Sequence, residues 1–262
     1  MGWQIFILLQ DFMIEENSII KGNSAMNVFV LGPAGSGKSL LVKNFSAYLA
    51  REGYVVRTVN LDPGVLDPGY KADFDIRSIF TVESIMREMG LGPNGAILEA
   101  MDRLAHMKIP DFGGADHIIF DTPGQLEPFL FRDAGRRIIG GFRDRCCFFL
   151  GDLTALKNNL LGFYLYALTA YFTLETETIA ILNKVDLLTP EEAEGVREIV
   201  RSPLRLTKPS GLRDEMSARL LKTLRHFFPP KRVPLVSAKT GEGFEELLTI
   251  LYEIKCACGD LT

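Results

Sequence analysis

Cysteine is scarce in this chain. Its four thiols are Cys146, Cys147, Cys256 and Cys258. Neither the adjacent pair nor the CxC pair has the ligand spacing of a zinc site, and four such thiols do not make the disulfide framework of a small secreted domain. They read as reduced thiols of a cytoplasmic protein, with Cys146 and Cys147 pointing to opposite faces of one strand. Charge of one sign is also missing: the formal net charge is −4, with no block of like charges. That argues against broad nucleic-acid binding. A basic n-region is absent ahead of the apolar run Trp3–Leu9, and Asp11, Glu15 and Glu16 follow soon after, so no signal peptide is read. Phe6 stands where myristoylation needs Ser or Thr. No apolar stretch reaches the roughly 20 residues of a membrane span. The nearest, the charge-free segment from Asn158 to Leu174, is shorter and opens on polar residues. It is expected to be a buried or interface helix, because a helix apolar on all sides must be covered. Internal repeats and low-complexity linkers are absent as well, so one domain is the simplest account.

What is present is led by Gly32-Pro33-Ala34-Gly35-Ser36-Gly37-Lys38-Ser39, a GxxxxGK[ST] loop. It follows the apolar run Val28–Leu31 and leads into Leu40–Phe45, which has helical spacing. A strand before and a helix after are the context a phosphate-binding loop requires. Its glycines let successive backbone N–H groups turn inward around phosphate oxygens. The helix that starts near Gly37 adds its positive dipole end. Lys38 supplies a charge for the outer phosphates, and Ser39 a hydroxyl for magnesium.

Strand and helix patterns alternate along the rest of the chain. Strands are expected at Asn27–Leu31, Tyr54–Leu61, His117–Phe120, Cys146–Leu150, Ile179–Leu182 and Val233–Val236. Helices are expected at Lys38–Glu52, Ser78–Met89, Gly95–Met107, Pro190–Arg201, Arg213–Phe227 and Phe244–Cys256, with Gly92-Pro93-Asn94 as the connector before Gly95. Two Asp-Pro-Gly units, at Asp62 and Asp67, mark turns. This alternation implies βαβ units and an α/β fold of three layers, with a mostly parallel central sheet flanked by helices. The 262 residues divide into an extension over residues 1–25, of unknown role or due to a start codon placed too far upstream, and a domain over residues 26–262.

Three further motifs follow apolar strands, at the sheet edge where ligands bind in open α/β folds. Asp121-Thr122-Pro123-Gly124-Gln125 offers an acid that can hold magnesium through water and a Gly124 amide that can reach the terminal phosphate. Asn183-Lys184-Val185-Asp186 suits guanine: the Asp186 carboxylate can accept from N1–H and the 2-amino group, a donor pair adenine lacks, while the Lys184 stem can lie over the base. Ser237-Ala238-Lys239 can donate a backbone amide to the guanine O6. Each motif alone is weak, and their order along the chain gives the set its weight.

The set resembles a guanine-nucleotide-binding G domain of SIMIBI-like P-loop NTPase type. Gly92-Pro93-Asn94, between Asn60-Leu61-Asp62-Pro63-Gly64 and DTPGQLE, narrows the resemblance to the GPN-loop GTPases of archaeal type, from about Met26 to the C-terminus. The resemblance implies a homodimer or close heterodimer in which Asn94 of one subunit faces the phosphate and magnesium region of the other. It implies that Asp62 helps hold the attacking water or the metal, and that Asp121, Gln125 and Glu127 surround that water and the switch. GTP would go to GDP and phosphate with Mg2+ as cofactor, mostly by positioning and charge neutralisation. Lys38, Ser39 and Asp121 would attend to the phosphates and the metal. Arg132, Arg136 and Arg137 read as solvated or structural rather than as an arginine finger. The glycine-bearing segment Leu126–Gly141 is expected to be a loop that reorganises when the terminal phosphate leaves. Protein partners are expected, by analogy with relatives tied to RNA polymerase assembly, and neither nucleic acid nor a membrane is. Two alternatives stay open: a P-loop kinase acting on a small molecule or polynucleotide, and a nucleotide-binding module without hydrolysis.

Overall fold

The computed structural model describes residues 25–156, 160–201, 212–224 and 233–259. The expectations for the extension over residues 1–24, for Asn158 and Asn159, and for residues 225–227 of the expected helix fall outside these. Seven strands form one sheet in the order β3-β2-β4-β1-β5-β6-β7. They are β1 (Met26–Leu31), β2 (Val56–Asn60), β3 (Phe74–Asp75), β4 (His117–Asp121), β5 (Arg145–Asp152), β6 (Thr178–Asn183) and β7 (Leu235–Val236). All six pairings are parallel. Every strand therefore ends at the same edge.

Parallel strands buried on both faces read as continuous apolar runs, and β1 and β5 do. Alternate residues serve two separate cores. Phe29, Leu31, Cys147 and Phe149 face one layer, and Val28, Val30, Cys146, Phe148 and Leu150 the other. The adjacent cysteines thus point to opposite faces, as their strand position predicts, and both are buried. Burial pushes the Cys147 thiol up to about 12, which keeps it protonated and inert. Phe29 stacks on Phe120 with ring centroids 4.2 Å apart, joining β1 to β4.

Helices α1 (Lys38–Arg51) and α10 (Phe244–Gly259) cover one face, with Phe45 and Phe244 edge to face at 5.3 Å. The other face is covered by α2 (Val82–Met89), α3 (Pro93–Ala105), α4 (Leu126–Phe131), α5 (Asp133–Gly140) and α7 (Leu160–Leu174), with the one-turn α6 (Leu153–Leu156) before it. Helices α8 (Pro190–Arg201) and α9 (Leu212–Leu224) complete that layer. The described elements agree with most of the sequence reading. The α7 helix buries Phe163, Tyr164, Ala167, Ala170 and Leu174 and exposes Leu165, Tyr171 and Phe172. Among the described residues no helix is long and apolar enough to cross a membrane.

Three local differences are physical. Gly92-Pro93-Asn94 is not a connector: Gly92 caps α3 and Pro93 opens it, where a missing N–H costs nothing. The expected strand over Val233–Val236 shortens to Leu235–Val236. Leu126–Gly141 is not an open loop; it folds into α4 and α5, because Leu126, Phe129, Leu130, Ala134, Ile138 and Ile139 find a shared core. Gly135 there serves packing. A Cβ on it would lie 2.6 Å from the Phe129 carbonyl oxygen and 2.9 Å from Leu174 Cδ2. The arginines of this segment are held by neighbours: Arg132 pairs with Asp102, Arg137 with Asp133, and Arg136 donates to the Thr173 carbonyl.

Gly135→Ala is expected to destabilise the protein by about 1–3 kcal/mol through overpacking. Gly140→Ala, with nothing within 4 Å of the added methyl, is expected to be neutral or slightly stabilising. Urea unfolding of the two variants checks this; equal effects would refute the packing role of Gly135.

Candidate functional site

The phosphate loop leaves the end of β1 and closes on the start of α1. Three of its glycines have positive φ: Gly32 (144°), Gly35 (77°) and Gly37 (97°). Two are also required by space. A Cβ on Gly32 would lie 2.5 Å from the Leu150 carbonyl oxygen, and one on Gly37 would lie 2.4 Å from Asn183 Nδ2. Pro33, Ala34 and Gly35 form the exposed crest, while Ser36 and Lys38 are buried. The Ser36 amide donates to the Pro33 carbonyl at 3.2 Å. Lys38 Nζ folds back onto the loop, donating to the carbonyls of Gly32 (2.8 Å) and Pro33 (3.2 Å). Burial lowers the Lys38 ammonium below its ordinary value, against the pull of Asp121 and Asp62. An ammonium so desolvated is poised to gain from an anion.

Asp121 ends β4 and is 1% exposed. Burial pushes its carboxyl up to about 6, against the hydrogen bond from Ser39 and the charge of Lys38, with Asp62 adding to the rise. Tyr70 Oη donates to Asp121 Oδ2 at 3.3 Å. Asp121 Oδ1 and Ser36 Oγ are buried without a hydrogen-bond partner among the described residues. An orphaned carboxylate oxygen beside a serine hydroxyl and an ammonium fits the hydration shell of a divalent cation that accompanies a phosphate. Thr122 Oγ1 donates to the Val30 carbonyl at 2.8 Å and so pins this segment to β1.

Asp62 sits across from that corner. Its Oδ1 accepts from the Gly64 amide and its Oδ2 from the Gly124 amide, both at 2.8 Å. A cavity of about 260 Å³ opens beside it, lined by Ala34, Asp62, Gly124 and Gln125 with apolar walls from Val82, Ile97 and Met101. Gln125 is exposed at the start of α4. Glu127 is turned to α7, where its Oε1 accepts from Tyr166 Oη at 2.8 Å. Asn94 is exposed at the start of α3 and does not line the cavity, although Ile97 and Met101 of the same helix do.

The base-side motifs meet at the ends of β6 and β7. Asn183 is 1% exposed; its Nδ2 donates to the Ser36 carbonyl (2.8 Å) and its Oδ1 accepts from the Ala238 amide (2.9 Å). Ser237 Oγ donates to Asp186 Oδ1 at 2.6 Å. Asn44 of α1 donates to the Ala238 carbonyl at 2.7 Å. Lys184 Nζ pairs with Asp152 Oδ2 at 2.6 Å, and Lys239 is exposed. All sequence-read positions except Asn94 thus gather along one sheet edge, with Glu127 directed away from the cavity. Tyr70, Asp152, Tyr166 and Asn44 were missed by motif reading. Tyr70, three residues past Asp67 in a turn-rich stretch, carries no pattern that announces it.

The raised Asp121 carboxyl has a measurable consequence. The folded protein holds that proton to higher pH than the unfolded chain does. Stability from Asp121 is therefore present in acid and lost as pH rises to about 6. Asp121→Asn in the nucleotide-free protein is expected to raise stability at pH 7.5 by up to about 3 kcal/mol, shrinking toward zero near pH 4. Thermal unfolding of both proteins across that range checks it, and a pH-independent difference would refute it.

Comparisons with known proteins bear on the family and the fold. The family model described as "Conserved hypothetical ATP binding protein" matches residues 30–257. The chain is 39% identical over 251 residues to GPN-loop GTPase PAB0955 of Pyrococcus abyssi, covering 90% of this chain and 100% of that protein. It is 27% identical to GPN-loop GTPase 1 of Saccharomyces cerevisiae, covering 86% of this chain but only 64% of the yeast protein's length. The crystal structure of apo PAB0955 superposes with a TM-score of 0.78 at 37% identity, covering 89% of this chain and 98% of that one. Shared sequence over the whole of one such protein, carried by the same fold, shows that the chain belongs to the GPN-loop GTPase family.

Proposed function

We propose that the chain binds GTP across the sheet edge and hydrolyses it to GDP and phosphate, acting as a homodimeric nucleotide-dependent switch in the assembly of a protein complex. The observation that carries this reading is the corner formed by Asp62, Gly124, Gln125, Lys38 and Asp121. It offers donors for a terminal phosphate on one side and a carboxylate and an amide for an attacking water on the other.

In this reading Lys38 gives up its two carbonyl contacts for the outer phosphate oxygens, an exchange of neutral acceptors for charged ones. The Gly124 amide, held by Asp62, is traded to the terminal phosphate, and the released carboxylate is free to orient water with Gln125. Ser39, with Asp121 and Asp62 through water, would hold magnesium, which when bound supplies charge neutralisation at the bridging phosphates. The protein's part is placement, since phosphoryl transfer asks for little covalent work.

At the other end, Asp186 accepts from the guanine N1–H and 2-amino group, while Ser237 Oγ donates to the remaining lone pair of its Oδ1. The Ala238 amide is engaged by Asn183, so a backbone donor for O6 comes from the neighbouring Lys239. The switch reading is supported by the Glu127–Tyr166 bond, which ties the segment after Gln125 to α7 and its exposed Leu165, Tyr171 and Phe172. The dimer reading is supported by Asn94, which is exposed at the start of α3 and does not line this chain's own cavity.

Incubated with GTP and magnesium alone, the purified chain is expected to release phosphate; release only with an added acceptor would favour the kinase alternative. Gln125→Ala should keep nucleotide affinity within about threefold and lose about 100-fold in turnover. Measured affinity and single-turnover rate separate the two, and a normal rate would overturn the role of Gln125.

Complementation tests the trans role of Asn94. Asn94→Ala and Lys38→Ala proteins should each be nearly inactive, whereas a mixture should regain activity, because one variant binds nucleotide and the other supplies the asparagine. No recovery in a mixture shown to form mixed dimers would refute it.

A further inference from the structure

Lys184 is one of two residues other than glycine with positive φ among the described residues, at 73°. That conformation costs an L-residue roughly 1–2 kcal/mol. It turns the lysine from β6 toward the neighbouring β5, where Asp152 pairs in register with Asn183. The Asp152 carboxylate is fully engaged. Its Oδ1 accepts from the Thr154 amide (2.9 Å) and Thr154 Oγ1 (2.7 Å), and its Oδ2 accepts from Lys184 Nζ (2.6 Å). Burial alone would raise this carboxyl, but the bonds from Lys184 and Thr154 outweigh it and leave it below the ordinary value. Lys184 and Asp152 are 29% and 19% exposed, so the pair is sheltered without being sealed.

We propose that Asp152 is a positioning residue for nucleotide binding: it anchors the Lys184 ammonium so that the lysine stem forms one wall of the purine slot and the charge stays away from Asp186. Lys184 and Asp186 are two residues apart, and an unanchored ammonium has a carboxylate within reach. An Asp186 paired to lysine loses acceptor capacity for the donor edge of guanine. Pairing the lysine on β5 removes that competitor. Thr154 makes the anchor rigid by fixing the other oxygen of Asp152. The inference rests on the base-recognition reading given above and deepens it.

Equilibrium titration of the full chain with fluorescent N-methylanthraniloyl GDP and ADP tests it. The variants are Asp152→Asn, which keeps an acceptor for Thr154 but cannot hold the ammonium, Lys184→Met, which keeps the stem and removes the charge, and the double variant. Asp152→Asn is expected to weaken GDP about tenfold, the size of one charge-assisted contact. On the Lys184→Met background the same change should cost less than about twofold, since no ammonium remains to stray. Equal losses on both backgrounds, or a GDP affinity for Asp152→Asn within about twofold of the unaltered chain, would overturn the proposal. Thermal unfolding of each variant separates a loss of the β5 end from a loss of positioning: a fall in melting temperature that parallels the affinity loss also counts against it. Equal affinity of the unaltered chain for GDP and ADP would instead sink the guanine reading, while the coupling between positions 152 and 184 is still read on either nucleotide.

Discussion

The site depends first on a single buried amide. Asn183 spans from the phosphate loop to the loop after β7, giving one hydrogen bond to each, at 2.8 and 2.9 Å. These two loops come from opposite ends of the sequence, and neither has another common partner of this kind among the described contacts. A buried amide must satisfy both its donor and its acceptor. Here it does so only if both loops stand in one arrangement, so the base side and the phosphate side are set at a fixed separation. Gly37 is what lets the amide approach, because any side chain there would strike Asn183 Nδ2 at 2.4 Å. The same glycine supplies the left-handed conformation that opens α1. One residue type thus answers two demands, steric and conformational.

Around that tie the site is satisfied from within. Lys38 rests on two carbonyls, Asp62 on two amides, and Tyr70 on Asp121. Each contact is of a kind that a phosphate oxygen or its cation replaces with a charged partner. Of the five buried side-chain atoms without a hydrogen-bond partner among the described residues, two belong to this site, Asp121 Oδ1 and Ser36 Oγ; the others are Asn27 Oδ1 in β1, His117 Nδ1 in β4 and Ser46 Oγ in α1. The left-handed glycines of the phosphate loop and the unmet Asp121 and Ser36 atoms thus occur where the chemistry is proposed.

Much of this was legible in advance because the motifs are local. The phosphate loop, DTPGQ, NKVD and SAK each lie within a few residues and at strand ends, and apolar runs flagged the strands that deliver them. The adjacent cysteines could be assigned to opposite faces from the two-residue period of a strand. Glycine misleads where it serves close packing rather than an open segment. In Leu126–Gly141 the apolar spacing favours helices, and Gly135 is there to let α5 approach Leu174. Likewise Gly92-Pro93-Asn94 looked like a turn but is the opening of α3, since a proline at the first helical position suits a helix as well as a turn.

Sequence by itself determined the class of fold, the phosphate loop with its lysine and serine, and the identity of the residues offered at each strand end, because these follow from short patterns whose chemistry is intrinsic. Tertiary structure alone decided which of those residues meet. Tyr70 reaches Asp121 across 51 positions, Asp62 reaches Gly124 across 62, and Asn183 reaches Ser36 across 147. It also turned Glu127 toward Tyr166 and gave Lys184 an acid on the neighbouring strand. Such contacts are fixed by strand order and register in a parallel sheet, where neighbours in space are separated by whole helices in sequence, and no local pattern records them.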